Sequence, residues 1–285
     1  MSWKDCDTRL LLPRSSLVHR GCTLNAMDVL YGIHAVEEAL RAHTRALDHL
    51  EVARERHDQR LQAVIDLARQ DGVSVRFVSR EQLDRLARTK SHQGVVAVVA
   101  GKKYSELDEL RPRKNQHRFL LVLDGIEDPH NLGALIRTAD GAGADGVIIP
   151  ERRAATVNAT VVKTSAGAAE HMRIARVVNL ARSIDELKEK NVWIVGLDER
   201  GQQPYDQLDY NMDCALVLGA EGHGLHDLVR KKCDHLVSIP MMGQVSSLNV
   251  SVAGAIVMYE VARQRRTSTG GAHQADAKQR KGLGS

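Results

Sequence analysis

The chain has 285 residues, 43% of them hydrophobic and 27% charged, enough for two globular domains with a real core. Aromatic residues make up 3% and the net charge is +4, so aromatic stacking and a broadly basic surface are both excluded as the main grip on a nucleic acid. Four scattered cysteines without a C-x-x-C pair point to a reducing compartment, the cytoplasm, and against a zinc site or disulfide framework.

Residues 1–26 show no periodicity and read as a disordered extension ahead of Met27. Between 27 and 100, helix signals at 35–42, 61–70 and 81–88 alternate with strand signals at 49–53, 73–78 and 95–99. The pattern predicts a compact α/β module. Arg69, Arg76, Arg80, Arg85, Arg88 and Lys90, with a turn at His92-Gln93-Gly94, make it a candidate for gripping a substrate. Charged helix faces equally suit a mere packing unit. Residues 101–117 are polar, with Pro112 among clustered cations, and read as a mobile linker.

The second domain is expected over 118–265. Its first strand, Leu120-Leu121-Val122-Leu123-Asp124, is apolar throughout, as in a parallel sheet covered on both faces. Strand-like runs recur at 146–150, 192–197, 215–219 and 236–240 with helical stretches between them. That alternation predicts an open, mostly parallel α/β sheet with ligands at the carboxyl ends of its strands. Residues 263–285 carry six Lys or Arg against one Asp, and from 266 the chain reads as a disordered basic tail. No apolar run reaches the ~18 residues of a membrane span.

Three stretches beside strand ends carry candidate chemistry. In Asp128-Pro129-His130-Asn131, proline and asparagine suit a helix start, with Arg137 further along. Arg137 could simply pair with Asp140 on the same helix. In Leu218-Gly219-Ala220-Glu221-Gly222-His223-Gly224, three glycines surround one carboxylate directly after a buried strand. A tight turn needs only one glycine, so a loop approaching a ligand is the better reading. In Ile239-Pro240-Met241-Met242-Gly243, then Ser246, Ser247, Leu248 and Asn249, small polar residues open an apolar helix. One of them suffices as a cap.

In this order the three stretches resemble the motifs of the SpoU/TrmH family of RNA ribose methyltransferases, of the SPOUT class. The likeness extends through Asn158-Ala159-Thr160, Ala166-Gly167-Ala168-Ala169-Glu170 and Trp193-Ile194-Val195-Gly196. Ahead of it, Tyr31-Gly32-Ile33-His34-Ala35-Val36 and His92-Gln93-Gly94 resemble the amino-terminal module of RlmB-type members, which methylate a guanosine ribose in 23S ribosomal RNA. The resemblance implies S-adenosylmethionine as cofactor, a carboxy-terminal trefoil knot, a homodimer, an L30-like RNA-binding module and no metal. It places Asn131 and Arg137 on the RNA side, Glu221 in the second motif, and Ser247 and Asn249 in the third. Gly219, Ile239 and Leu248, with Leu218 and Leu197 at neighbouring strand ends, fall around the methyl donor. A guanidinium stays protonated in almost any protein setting, so Arg137 fits better as a cation holding phosphate and developing alkoxide than as a base. A transfer-RNA methyltransferase and a non-catalytic RNA-binding protein on the same fold are the rival readings.

Overall fold

The computed structural model describes residues 27–56, 58–114 and 116–281, with side chains to 267. The extension expected over 1–26 therefore lies outside the described residues. The amino-terminal module consists of Met27–Tyr31 (β1), Ile33–Ala42 (α1), Leu47–Ala53 (β2), Gln59–Gln70 (α2), Ser74–Val78 (β3), Arg80–Ala87 (α3) and Val95–Ala100 (β4). Its strands run in the order β1-β4-β2-β3, with β4 antiparallel to both neighbours and β3 parallel to β2. Leu50 and Val52 of β2 face the core under α1 and α2, while Ala53, Val96 and Leu83 close the other face under α3. Alternation along β2 thus feeds two layers. Asp58 caps α2 and a Ser79–Gln82 capping box starts α3, which fixes both helices where the periodicity begins. β1 was not anticipated from the sequence; it is short and carries Asp28 among its apolar residues.

The second domain contains Phe119–Asp124 (β5), Pro129–Gly141 (α4), Gly146–Pro150 (β6), Ala159–Thr164 (α5), Ala168–His171 (α6), Ile174–Val177 (β7) and Leu180–Glu189 (α7). It continues with Trp193–Leu197 (β8), Gln203–Pro204 (β9), Cys214–Gly219 (β10), Asp227–Lys232 (α8), His235–Ser238 (β11) and Val250–Lys281 (α9). The sheet runs β7-β6-β5-β10-β8-β11-β9 and every pairing is parallel, as the continuous apolar strands predict. All six residues of β5 and all six of β10 are buried at the middle of it. Each such Leu or Val contributes about 1.5–3 kcal/mol. Gly254 lets α9 lie close on this sheet: a Cβ there would come within 2.6 Å of Leu218 and 2.7 Å of Leu135 on α4.

Two expectations change. Residues 101–117 are not a free linker. Ser105 N donates to Ile174 O beside β7, Leu110 is 1% exposed against Gly146, and Arg173 holds the carbonyls of Glu109 and Arg111. The stretch has its own apolar anchors, Tyr104, Leu107 and Leu110, which its charge obscures. The basic tail expected to be disordered from 266 instead continues the backbone of α9 to Lys281. Beyond Gly271 the residues Ala272, Gln274, Ala275 and Ala277 are strong helix formers with no proline among them.

Candidate active site

Parallel packing brings the carboxyl ends of β5, β8, β10 and β11 to one edge, with Gly219 beside Asp124 and Leu218 beside Leu197. A cleft of about 650 Å³ opens there, between the loops that follow β8, β10 and β11. Leu197, Leu218, Gly219, Ile239 and Leu248 all line it, together with Glu221, Ser247 and Asn249. Gly219 is the tightest point. A Cβ on it would meet the Gly224 carbonyl carbon at 2.1 Å, so only glycine lets the loop fold back here.

The third stretch differs in detail from its sequence reading. The helix begins at Val250, and residues 240–249 form an irregular loop that puts Ser246 and Ser247 in the cleft wall. Asn249 alone does the capping: its Oδ1 accepts from Ser251 N at 2.9 Å and from Ser251 Oγ at 2.5 Å. Its Nδ2 donates to Asn131 Oδ1 at 3.0 Å and to Glu221 Oε1 at 2.6 Å. One amide therefore ties together the start of α4, the glycine loop and the start of α9. Its orientation is determined, because a flipped amide would set oxygen against Glu221 and Asn131. Asn131 is not itself the cap of α4. Asp128 takes that role through His130 N at 3.0 Å, leaving Asn131 buried in the first turn with its side chain turned to Asn249.

Arg137 is the exception. It is exposed, does not line the cleft, and has no ion-pair or hydrogen-bond partner among the described residues, Asp140 included. The sequence also gave no notice of Asp198 and Arg200 at the cleft edge, where Arg200 Nε and Nη2 donate to the two carboxylate oxygens at 2.9 and 3.2 Å. Burial pushes the Asp198 carboxyl up, but the hydrogen bonds and charge of Arg200 outweigh it and hold it below the usual carboxylate range. The available signal was a charged turn directly after the apolar strand β8.

The apolar wall, the exposed backbone of the glycine loop and the partly exposed Leu248 suit a mixed polar and apolar ligand such as a nucleoside. No group of His, Cys, Asp or Glu suited to a metal occurs among the described residues. Burial pushes the Cys214 thiol up to about 11 and that of Cys233 up to about 12, so neither is fit to act as a nucleophile. The cleft can take a nucleoside-sized ligand, with the Asn249 amide and the Glu221 carboxylate joined at its wall.

Comparison with known proteins agrees. The sequence pattern of the SpoU rRNA Methylase family matches residues 118–259, and that of RNA 2'-O ribose methyltransferase substrate binding matches residues 29–105. YacO of Bacillus subtilis, a TrmH family protein, is 47% identical over 84% of this chain and 96% of its own. The 23S rRNA (guanosine-2'-O-)-methyltransferase RlmB of Pectobacterium atrosepticum is 45% identical over 84% of this chain and 98% of its own. Among solved structures, the SpoU methyltransferase AviRb of Streptomyces viridochromogenes, in complex with AdoMet, superposes with a TM-score of 0.73. It is 28% identical and the match covers 85% of this chain and 91% of that one. The chain belongs to the SpoU rRNA methylase family. It is an S-adenosylmethionine-dependent methyltransferase, and the cleft's volume of about 650 Å³ and its mixed apolar and polar lining suit a nucleoside donor.

Proposed function

We propose that this enzyme methylates the ribose 2'-hydroxyl of a guanosine in 23S ribosomal RNA, acting in the cytoplasm as a homodimer with a threaded carboxy-terminal chain. The observation that carries this reading is the Asn249 node, which joins the RNA-side Asn131 to the donor cleft through two hydrogen bonds. The amino-terminal module supports ribosomal RNA as substrate, since the RlmB relative matches across both domains. No helix among the described residues is long and apolar enough to cross a membrane.

The bound donor supplies an electrophilic methyl group. The chain's own residues must then position a weak nucleophile and relieve the charge that builds on its oxygen as the proton leaves. Gly219, Leu218, Leu197, Ile239 and Leu248 hold the donor's nucleoside part in the cleft wall. Asn131 offers its Nδ2 to the ribose, because its Oδ1 is already taken by Asn249. Glu221 fixes Asn249 through one carboxylate oxygen, and Ser247 lines the cleft beside it. Arg137, a cation without a partner among the described residues, serves the adjacent phosphate and the developing alkoxide.

The test is treatment of ribosomal RNA with the protein and labelled donor, followed by primer extension and mass spectrometry. One 2'-O-methylated guanosine in 23S RNA is expected. Methylation of transfer RNA alone, or donor binding without transfer to either RNA, would refute the assignment.

A further inference from the structure

The face between the module and the methyltransferase domain holds a buried ion pair, neither member of which lines the cleft. Arg45, in the turn after α1, is 2% exposed and Glu170 on α6 is fully buried. Arg45 Nε donates to Glu170 Oε2 at 2.9 Å and its Nη2 lies 2.8 Å from Oε1. The remaining Arg45 nitrogen reaches Asp28 of β1 at 3.2 Å, Thr44 Oγ1 adds a bond to Oε2 at 3.2 Å, and Lys102 Nζ donates to Glu170 O at 3.2 Å. Burial holds the Lys102 ammonium below the usual lysine range, a second sign that this face is dry.

A second set of contacts lies closer to the active site. Tyr31 Oη meets Thr160 Oγ1 at 3.2 Å, and Lys163 Nζ donates to Ser91 O at 2.7 Å while lying 5.3 Å from the centre of the Tyr31 ring. Gln93 Oε1 accepts from Ile33 N at 3.0 Å and braces the turn that carries Tyr31. On the other side, α5 is pressed against α4: a Cβ on Gly133 would come within 1.8 Å of Thr164 Oγ1. A continuous path of packed contacts thus runs from the module through α5 and α6 to the helix that carries Asn131. The buried Arg45–Glu170 cluster also demands one orientation, since a small slip would leave a buried charge without its partner.

We propose that Glu170, paired with Arg45, is a specificity-determining positioning residue. It holds the RNA-gripping module at a fixed place relative to Asn131 and Asn249, so that where the RNA is gripped decides which ribose meets the donor. This rests on the reading of the chain as an RNA ribose methyltransferase.

Two variants test it in the full chain: Glu170→Gln, which removes the charge and keeps the shape, and the double variant Arg45→Met with Glu170→Leu, which replaces both partners by apolar groups. Fluorophores on non-natural residues at exposed positions 63 and 182 report the distance between the domains, calorimetry reports donor affinity, and mass spectrometry maps the methylated riboses. Expected are donor affinity within twofold of wild type, a broadened distance distribution, a fall in kcat/KM on ribosomal RNA of at least tenfold, and methylation spreading to neighbouring riboses. A broadened distribution with unchanged turnover at one ribose would overturn the inference. So would an unchanged distribution in both variants, or loss of donor binding in both, since the pair would then be dispensable or would be maintaining the catalytic fold itself. Wild-type protein that binds donor and methylates no RNA would instead defeat the functional reading.

Discussion

Asn249 does two jobs that substitutions can separate. Its oxygen caps α9, and its nitrogen bridges Asn131 and Glu221. Asn249→Ala removes both, with a loss of about 0.5–2 kcal/mol from the cap. Asn249→Asp keeps an oxygen for Ser251 N but turns a second carboxylate on Glu221. The aspartate variant should melt near wild type, still bind donor, and lose at least about a hundredfold in kcat, an effect of the size seen when a preorganised donor is removed. Thermal denaturation alongside single-turnover methylation checks this, and near-normal turnover by Asn249→Asp would show that the bridge is only structural. Leu248 gives an independent handle on the donor. It is 36% exposed in the cleft wall, so Leu248→Arg can be accommodated without disturbing the core. It should abolish donor binding by calorimetry in a protein with a wild-type melting temperature, and retained affinity would remove Leu248 from the donor site.

At the scale of elements, residues 101–117 change how the domains can be cut. A truncation starting at residue 113 would discard Leu110, buried against Gly146, and Ser105, which bonds beside β7. Loss of Leu110 alone should cost about 1.5–3 kcal/mol. A chain starting at residue 101 keeps both. It should stay folded and bind donor while losing most methylation of ribosomal RNA, whereas undiminished turnover would make the module merely structural. This segment also shows where the sequence was readable. β5 and β10 were legible because six consecutive buried positions leave an unbroken apolar run. β7, with exposed Arg176 at its third position, and the two-residue β9 sit at opposite edges of the sheet and carry no such run. That the glycine loop borders a cleft was legible because glycine beside a carboxylate at a strand end has few other uses. The Arg45–Glu170 pair was not, because nothing in the spacing of residues 125 apart reveals that they meet.

At the scale of the whole molecule, Arg137 is the residue a single chain does not bring to its cleft. Asn131 turns towards Asn249. Arg137 is six residues further on, about 9 Å along the helix axis and about 120° round from it. It shares a face of α4 with Gly141, one turn on, where a Cβ would lie 3.1 Å from the Tyr259 hydroxyl of α9. That neighbourhood is apolar and uncovered: Val252 is 49% and Tyr259 52% exposed, seven residues apart on one stripe of α9. A twofold dimer closing over this stripe would bury the surplus and carry Arg137 towards the cleft of the other subunit. We therefore predict that Arg137 acts on donor held by its partner. Arg137→Ala and Leu248→Arg should each be inactive alone. Mixed under conditions that exchange subunits, half of the dimers carry one chain of each kind, and each mixed dimer has one site with both defects and one with neither. About a quarter of full activity should return. If each chain completes its own site, every site in the mixture keeps a defect and no activity returns, so an inactive mixture with demonstrated exchange would rule out the shared site.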